Sequence, residues 1–265
     1  MVGSRRLAVV TGASAGIGAV YARRLAAEGF DLVLVARRRE RLERLAAELR
    51  GKYNVAVEPL PADLTRDEGL KTVEDRIASA ENLEFMLNNA GFGAKGRFTD
   101  GPLEGHDAMH RLHVMATMRL SHAALRKMKA RGKGALVNVS SVAAFICRPG
   151  NTSYYATKAW MNCFTEGIYL ELKAAWSPVR VQALCPGFTV TEFHDVMGFD
   201  RKQVPSCWWM TAEDVVEASL RGLERNQLIV VPGWRYKLVV GLLRLTPRFL
   251  IHAASAIRPS AMERG

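Results

Sequence analysis

The sequence predicts an α/β fold, a doubly wound parallel sheet within one domain, on three observations. Short apolar runs alternate with helix-patterned segments across short links. Glycines 12, 16 and 18 stand between the first such run and the first helix. Gly12, Arg37, Asp63, Asn89, Ser141 and Pro186 all fall at the carboxyl ends of expected strands, the edge where such sheets bind ligands.

Composition sets the bounds. A chain of 265 residues fits one large domain with a full core, and its 49% apolar and 24% charged content is ordinary. The net charge of +11 favours anionic ligands. It does not imply nucleic acid, since no aromatic-interleaved basic run or zinc-finger spacing is present. Cys147, Cys163, Cys185 and Cys207 form no C-x-x-C pair and read as reduced thiols of a cytoplasmic protein. Arg5 and Arg6 ahead of LAVVTGASAGIGAV resemble the start of a signal peptide, but the glycine pattern explains the segment better, so secretion is rejected.

Leu7 to Thr11 is the first strand, and the helix after it ends near Glu28, before Gly29. The intervening glycines, spaced G-x3-G-x-G, let backbone amides approach a pyrophosphate at the helix N-terminus. Three glycines also suit a plain turn, but the agreement of strand, loop and helix favours a dinucleotide. Asp31 to Ala36 is the second strand. Where an acid would bind the ribose 2′-hydroxyl of NAD, this chain has Arg37 and Arg38. Guanidinium groups pair with a 2′-phosphate, which argues for NADP(H). Arg39, Arg41 and Arg44 read instead as the solvated face of the next helix, interleaved with Glu40, Glu43 and Glu48.

Asn54 to Glu58 is the expected third strand, a helix begins near Arg66, and Glu84 to Leu87 is the fourth strand. Ala135 to Val139 is a further apolar run, ending in Ser140 and Ser141. After a loop through Arg148, Pro149 and Gly150, a helix carries Tyr154 and Lys158, four residues apart on one face. A nearby ammonium would lower the tyrosine pKa from its usual ~10, so that Tyr154 exchanges a proton with a carbonyl or alcohol oxygen. Ser141 is best placed to hold that oxygen. Val179 to Cys185 and Gln227 to Val231 are the last strands, with a helix from Thr211 to Arg225 between them.

The set TGASAGIG (11–18), AD-L (62–64), NNAG (88–91), Ser141, Tyr154-xxx-Lys158 and Pro186-Gly187 resembles the short-chain dehydrogenase/reductase family over about Leu7 to Val231. The resemblance implies a Rossmann-like fold and NAD(P)-dependent hydride transfer. It implies Tyr154 as the acid-base group, Lys158 as its partner and a ribose ligand, and Ser141 as the substrate-orienting hydroxyl. It places Gly12, Ser14, Gly16, Ile17 and Gly18 on the phosphates and Asp63 and Leu64 beside the adenine. Asn89, Ala90 and Gly91 flank the adenine ribose, Pro186 and Gly187 also bind the cofactor, and Thr191 meets its nicotinamide or phosphate side. A homodimer or homotetramer is the family's habit.

One departure is His113, where the family usually has an asparagine that supports a water chain to the lysine. It reads either as a proton-passing group or as a packed substitute. His106, His110 and His113 share a helix face, but without H-E-x-x-H no metal is expected.

Glu192 to Met210 holds Phe193, Val196, Met197, Phe199, Trp208, Trp209 and Met210, expected over the substrate. They suit a lipophilic carbonyl or alcohol, steroid-like or acyl-chain-like, or else pack among themselves. Residues 1–233 form the NADP-binding and catalytic domain, and 234–265 a helical extension. Its apolar run is broken by Lys237, Arg244 and Arg248, too often for a membrane span. A helix covering the cleft or a neighbouring subunit is favoured over peripheral membrane contact. The expected activity is carbonyl–alcohol interconversion with NADP(H). A dinucleotide-binding sensor and a membrane-surface lipid reductase are the alternatives.

Overall fold

Seven strands, all parallel, form one sheet in the order β3-β2-β1-β4-β5-β6-β7. The computed structural model describes residues 5–93, 96–193 and 199–257, with side chains through 253. The strands are β1 (Leu7–Thr11), β2 (Asp31–Ala36), β3 (Val57–Pro61), β4 (Leu83–Asn88), β5 (Ala135–Val139), β6 (Arg180–Leu184) and β7 (Ile229–Val230). The helices are α1 (Gly16–Ala27), α2 (Arg39–Tyr53), α3 (Asp67–Ala78), α4 (Leu103–His110), α5 (Thr117–Arg131) and α6 (Thr152–Ala174). After them come α7 (Ala212–Glu224), α8 (Trp234–Leu245) and α9 (Arg248–Ile257).

The strand order reverses between β1 and β4, which opens a crevice beyond their carboxyl ends. β1, β4 and β5 are mainly apolar and almost wholly buried because both sheet faces are covered by helices. One core lies under α1, α2 and α7, built on Tyr21, Leu25, Leu34 and Leu49. The opposite core, with Met86, Leu120, Leu136 and Met128, lies under α3, α5 and α6.

Two strands differ from expectation by more than one residue at an end. β3 begins at Val57, later than Asn54, and runs through Pro59 and Pro61. It is an edge strand, so prolines are tolerated on its outer side, while Asn54 takes a left-handed conformation that stops α2. β7 is only Ile229–Val230 rather than Gln227 to Val231, since Gln227 N–H bonds back to Gly222 O and closes α7.

A buried polar ladder fixes the elements behind the crevice. Asn88 Nδ2 donates to Asn138 Oδ1 at 2.9 Å and to Ser121 Oγ at 3.0 Å, and Asn138 Nδ2 donates to Thr165 Oγ1 at 2.9 Å. It ties β4, β5, α5 and α6 together and sets the height of α6 against β5. Between α4 and α5, Arg111–Ala116 is a π-helical turn. Such turns widen the backbone spacing and leave the regular hydrogen-bond ladder. His113 sits at its centre.

Candidate active site

The first wall of the crevice is the β1–α1 turn. Gly12 and Gly16 have positive φ, 66° and 53°, which favours glycine. None of the three glycines has room for a side chain. A Cβ on Gly18 would lie 2.4 Å from Gly12 O, one on Gly12 2.6 Å from Asn89 Nδ2, and one on Gly16 2.8 Å from Thr191 Cγ2. The α1 N-terminus follows Ala15, and no side chain caps it. Its first amides are therefore available to an anion, as a dinucleotide pyrophosphate requires. Ile17 packs on the core beneath.

Thr11, a residue sequence reasoning passed over, holds this turn to β4. Its hydroxyl donates to Leu87 O at 3.1 Å and accepts from Asn89 N at 2.9 Å and Ala90 N at 3.1 Å. Asn89 Nδ2 in turn donates to Thr11 O at 3.0 Å and Gly12 O at 3.3 Å. Through Nδ2, the Asn89 amide is thus a brace between β1 and β4. Leu64 is packed in the core, at 6% exposure.

Asp63 Oδ1 accepts from Thr65 N at 3.0 Å and Thr65 Oγ1 at 2.7 Å. Burial opposes its ionisation, but these bonds and the positive charges of Arg37 and Arg66 outweigh it and keep the carboxyl below its ordinary range. The two arginines after β2 are not equivalent. Arg37 makes no hydrogen bond or ion pair among the described residues and faces Asp63 only through the field. Arg38 donates through Nη1 to Glu192 Oε2 at 2.9 Å and through Nη2 to Ser14 Oγ at 3.0 Å. Arg41, expected to be a solvated helix residue, bonds the other oxygen of Glu192.

The second wall is β5 and α6. Ser140 is buried and its Oγ donates to Lys158 O at 3.0 Å, so it anchors α6 and cannot face a substrate. Ser141 has partial exposure, and its hydroxyl shares a hydrogen bond with that of Tyr154. The same hydroxyl accepts from Ala143 N at 3.1 Å and reaches Pro186 O at 3.4 Å. Lys158 Nζ donates to Val139 O at 2.8 Å and lies 5.6 Å from the centre of the Tyr154 ring. The fold therefore brings Ser141, Tyr154 and Lys158 to one point at the sheet's carboxyl edge.

Their electrostatics depart from the expectation of a lowered tyrosine pKa. Burial pushes the Tyr154 phenol up to about 12, with the Ser141 hydrogen bond opposing. Burial also pushes the Lys158 amine down to about 8. In both groups desolvation of the charged form is the largest cause. At neutral pH the pair is a phenol beside an ammonium, a proton-donating arrangement.

His113 is fully buried, and both ring nitrogens are engaged. Nε2 accepts from Phe92 N–H at 3.3 Å, which leaves the proton on Nδ1, 3.0 Å from Thr157 Oγ1. The Thr157 hydroxyl donates to Tyr154 O at 3.0 Å. Burial, then the charges of Lys158 and His110, holds the imidazole well below its ordinary pKa. His113 is a neutral brace, the packed-substitute alternative. Its neighbour Gly91 has no space for a side chain, since a Cβ there would lie 2.9 Å from His113 Nε2. His106 lies against the Phe98 ring, and the described residues contain no group of three metal-ligating side chains.

The third wall follows β6. The Phe193 ring centre is 6.0 Å from that of Tyr154, so Phe193 faces the acid-base pair. The other aromatics mainly pack on one another: Phe188 stacks on Phe199 at 5.7 Å and meets Trp209 at 5.4 Å. Val196 and Met197 lie outside the described residues. Tyr236 of α8 closes this wall from below, a contact sequence reasoning missed. Its hydroxyl accepts from Phe188 N at 2.9 Å and donates to Trp208 O at 2.7 Å. A Cβ on Gly187 would fall 2.1 Å from the Tyr236 ring. The extension is therefore packed, through Tyr236 and Val240, under the loop that borders the crevice.

Comparisons agree with this architecture. The family profile described as short chain dehydrogenase matches residues 6–200. A 7beta-hydroxysteroid dehydrogenase of Mediterraneibacter gnavus is 31% identical over 232 residues, 86% of each chain. Among solved structures, a short-chain dehydrogenase from Sphingobium yanoikuyae in complex with NADPH superposes with a TM-score of 0.82 at 38% identity, over 90% of this chain and 94% of that one. The bulky-bulky ketone specific alcohol dehydrogenase of Comamonas testosteroni gives 0.78 at 31% identity, over 97% and 96%.

Proposed function

The chain belongs to the short-chain dehydrogenase/reductase family, and from that premise we propose that it is an NADP(H)-dependent reductase of bulky lipophilic ketones or aldehydes. The observation that carries this reading is the meeting of Tyr154, Ser141 and Lys158 beside the uncapped α1 N-terminus. The crevice suits a nicotinamide dinucleotide: its turn has no room for a Cβ at Gly12, Gly16 or Gly18, and Arg37 at the β2 end has no ion-pair partner among the described residues. When bound, that cofactor supplies the hydride.

The chain's own residues do the rest. The Ser141 hydroxyl holds the carbonyl oxygen and Tyr154 donates a proton to it, forming the alcohol. A phenol pushed up to about 12 remains protonated at neutral pH, which suits reduction. Lys158, held by Val139 O, supplies a positive charge behind the phenol as it becomes phenolate. Asn89 and Thr11 keep the glycine turn in place, and Phe193 presents an apolar face to the reacting carbon. Arg37 binds the 2′-phosphate, which favours NADPH over NADH.

Bulk in the substrate is supported by the names of the relatives, which act on a hydroxysteroid and on bulky-bulky ketones. The test is nicotinamide oxidation with NADPH and NADH against a panel of steroid-like, acyl-chain and small ketones. Turnover with NADPH and bulky ketones is expected. Turnover confined to small ketones would contradict the substrate class, and equal rates with NADH would contradict the cofactor.

A second reading concerns the surface of α8. Trp234, Leu238, Leu242 and Leu245 lie along one face and are 68%, 57%, 57% and 84% exposed. Lys237, Arg244 and Arg248 are exposed around them. Against a second copy this face would meet its own positive charge, so an anionic lipid surface is the fitting partner. Among the described residues no helix is long and apolar enough to cross a membrane. Co-sedimentation with acidic vesicles, lost in Leu242→Asp/Leu245→Asp, is expected; full-length protein left in the supernatant would end this reading.

A further inference from the structure

Glu192 is a side chain the proposed reaction does not use, yet it makes the densest ion contact near the crevice. One oxygen takes Arg38 Nη1 at 2.9 Å and the other takes Arg41 Nη1. Arg38 is simultaneously bonded to Ser14 Oγ at 3.0 Å, so the triad abuts the glycine turn. The same corner opens into a groove between α1 and α2 of about 350 Å³, lined by Ser14, Arg23, Arg41, Arg44 and Glu48 among others. Arg23 is neutralised there by Glu48 at 2.8 Å. The arginines Arg41 and Arg38 first, with burial opposing, hold the Glu192 carboxyl below its ordinary range, so it is an anion at neutral pH.

We propose that Glu192 is an internal competitor of the cofactor's 2′-phosphate for Arg38 and Arg41, and thereby a determinant of NADP(H) affinity. This rests on the NADP(H) reading above. A carboxylate and a phosphate present similar oxygens to a guanidinium fork, and with Nη1 on Glu192 and Nη2 on Ser14 fewer of the five Arg38 N–H groups are left to grip a phosphate. Arg37, one residue away, is bound by no such partner among the described residues and offers the first contact. The phosphate then takes Arg38 and Arg41 by exchange with Glu192. Because the three side chains are 38–45% exposed, the exchange is between solvent-screened pairs and shifts affinity modestly.

The test measures binding, not turnover. Adenosine 2′,5′-bisphosphate and adenosine 5′-phosphate are titrated calorimetrically into wild type, Glu192→Gln, and Glu43→Gln as a charge-matched control. Glu43 pairs with Arg39 at 3.7 Å on the outer face of α2. Glu192→Gln is expected to bind the bisphosphate roughly three- to tenfold more tightly. The monophosphate and the Glu43→Gln control should stay within about twofold of wild type. Adding Arg38→Ala to Glu192→Gln should erase the gain. Bisphosphate binding that is unchanged or weaker in Glu192→Gln, with wild type still preferring the bisphosphate, would overturn the competition alone. If neither protein prefers the bisphosphate, the NADP(H) reading fails and takes this proposal with it.

Discussion

His113 Nδ1 lies 3.0 Å from Thr157 Oγ1, and Thr157 in turn donates to the backbone carbonyl of Tyr154. The imidazole therefore positions the first turn of α6 rather than relaying protons. Its folded pKa is held well below 6.5, so the unfolded chain takes up a proton in acid that the folded chain refuses. Stability contributed here is present above about pH 6.5 and falls as the pH drops below it. His113→Asn should flatten that acid slope and cost about 1–3 kcal/mol near neutrality, through the unpaired Phe92 N–H and Thr157 hydroxyl. Denaturant unfolding at several pH values checks both. A loss of kcat of less than about tenfold is expected, against the 10²–10⁴ of a true acid-base group.

Lys158 sets the upper pH limit of reduction. Its amine, pushed down to about 8, is charged below that pH and neutral above it. Tyr154 stays protonated over the same range, so it adds no fall of its own. The kcat/KM for ketone reduction should be level below about pH 8 and decline above it. A profile that stays level well into the alkaline range would remove the lysine charge from the mechanism.

On the proposed reading, Arg37 sets the cofactor preference and has little structural duty. Arg37→Ala should weaken NADPH binding about tenfold, as loss of one charge-assisted contact implies, and leave NADH within about twofold. Its melting temperature should hardly change. Direct titration of both dinucleotides reads the two effects separately.

Tyr236 links the C-terminal extension to the crevice. Tyr236→Phe keeps the ring against Gly187 but strands the Phe188 N–H, which should cost about 1–3 kcal/mol. Trp234→Ala, two residues earlier but exposed, should stay within about 0.5 kcal/mol of wild type. Equal effects in an unfolding series would mean that α8 is not held through the Tyr236 hydroxyl.

What was legible in the chain follows from periodicity and turn chemistry. Glycines 12, 16 and 18 and the Tyr154–Lys158 interval are local patterns, and the fold places them as they read. β3 was misplaced because its Pro59 and Pro61 argue against a strand unless its edge position is known. Glu192 and Tyr236 carried no local signal, since their partners lie 154 residues away at Arg38 and 48 away at Phe188. Thr157 had a usable one: three residues past the tyrosine, it shares the first turns of the same helix. The raised Tyr154 pKa depends on burial, which spacing does not report.

The central claim is that Tyr154 donates the proton. Tyr154→Phe keeps the ring that meets Phe193 and His113 and removes only the hydroxyl. NADPH affinity and ketone reduction should be measured on this variant and wild type together. The account predicts near-unchanged NADPH binding with turnover lowered by at least about 10²-fold. Turnover within a few-fold of wild type, with NADPH still bound, would contradict it.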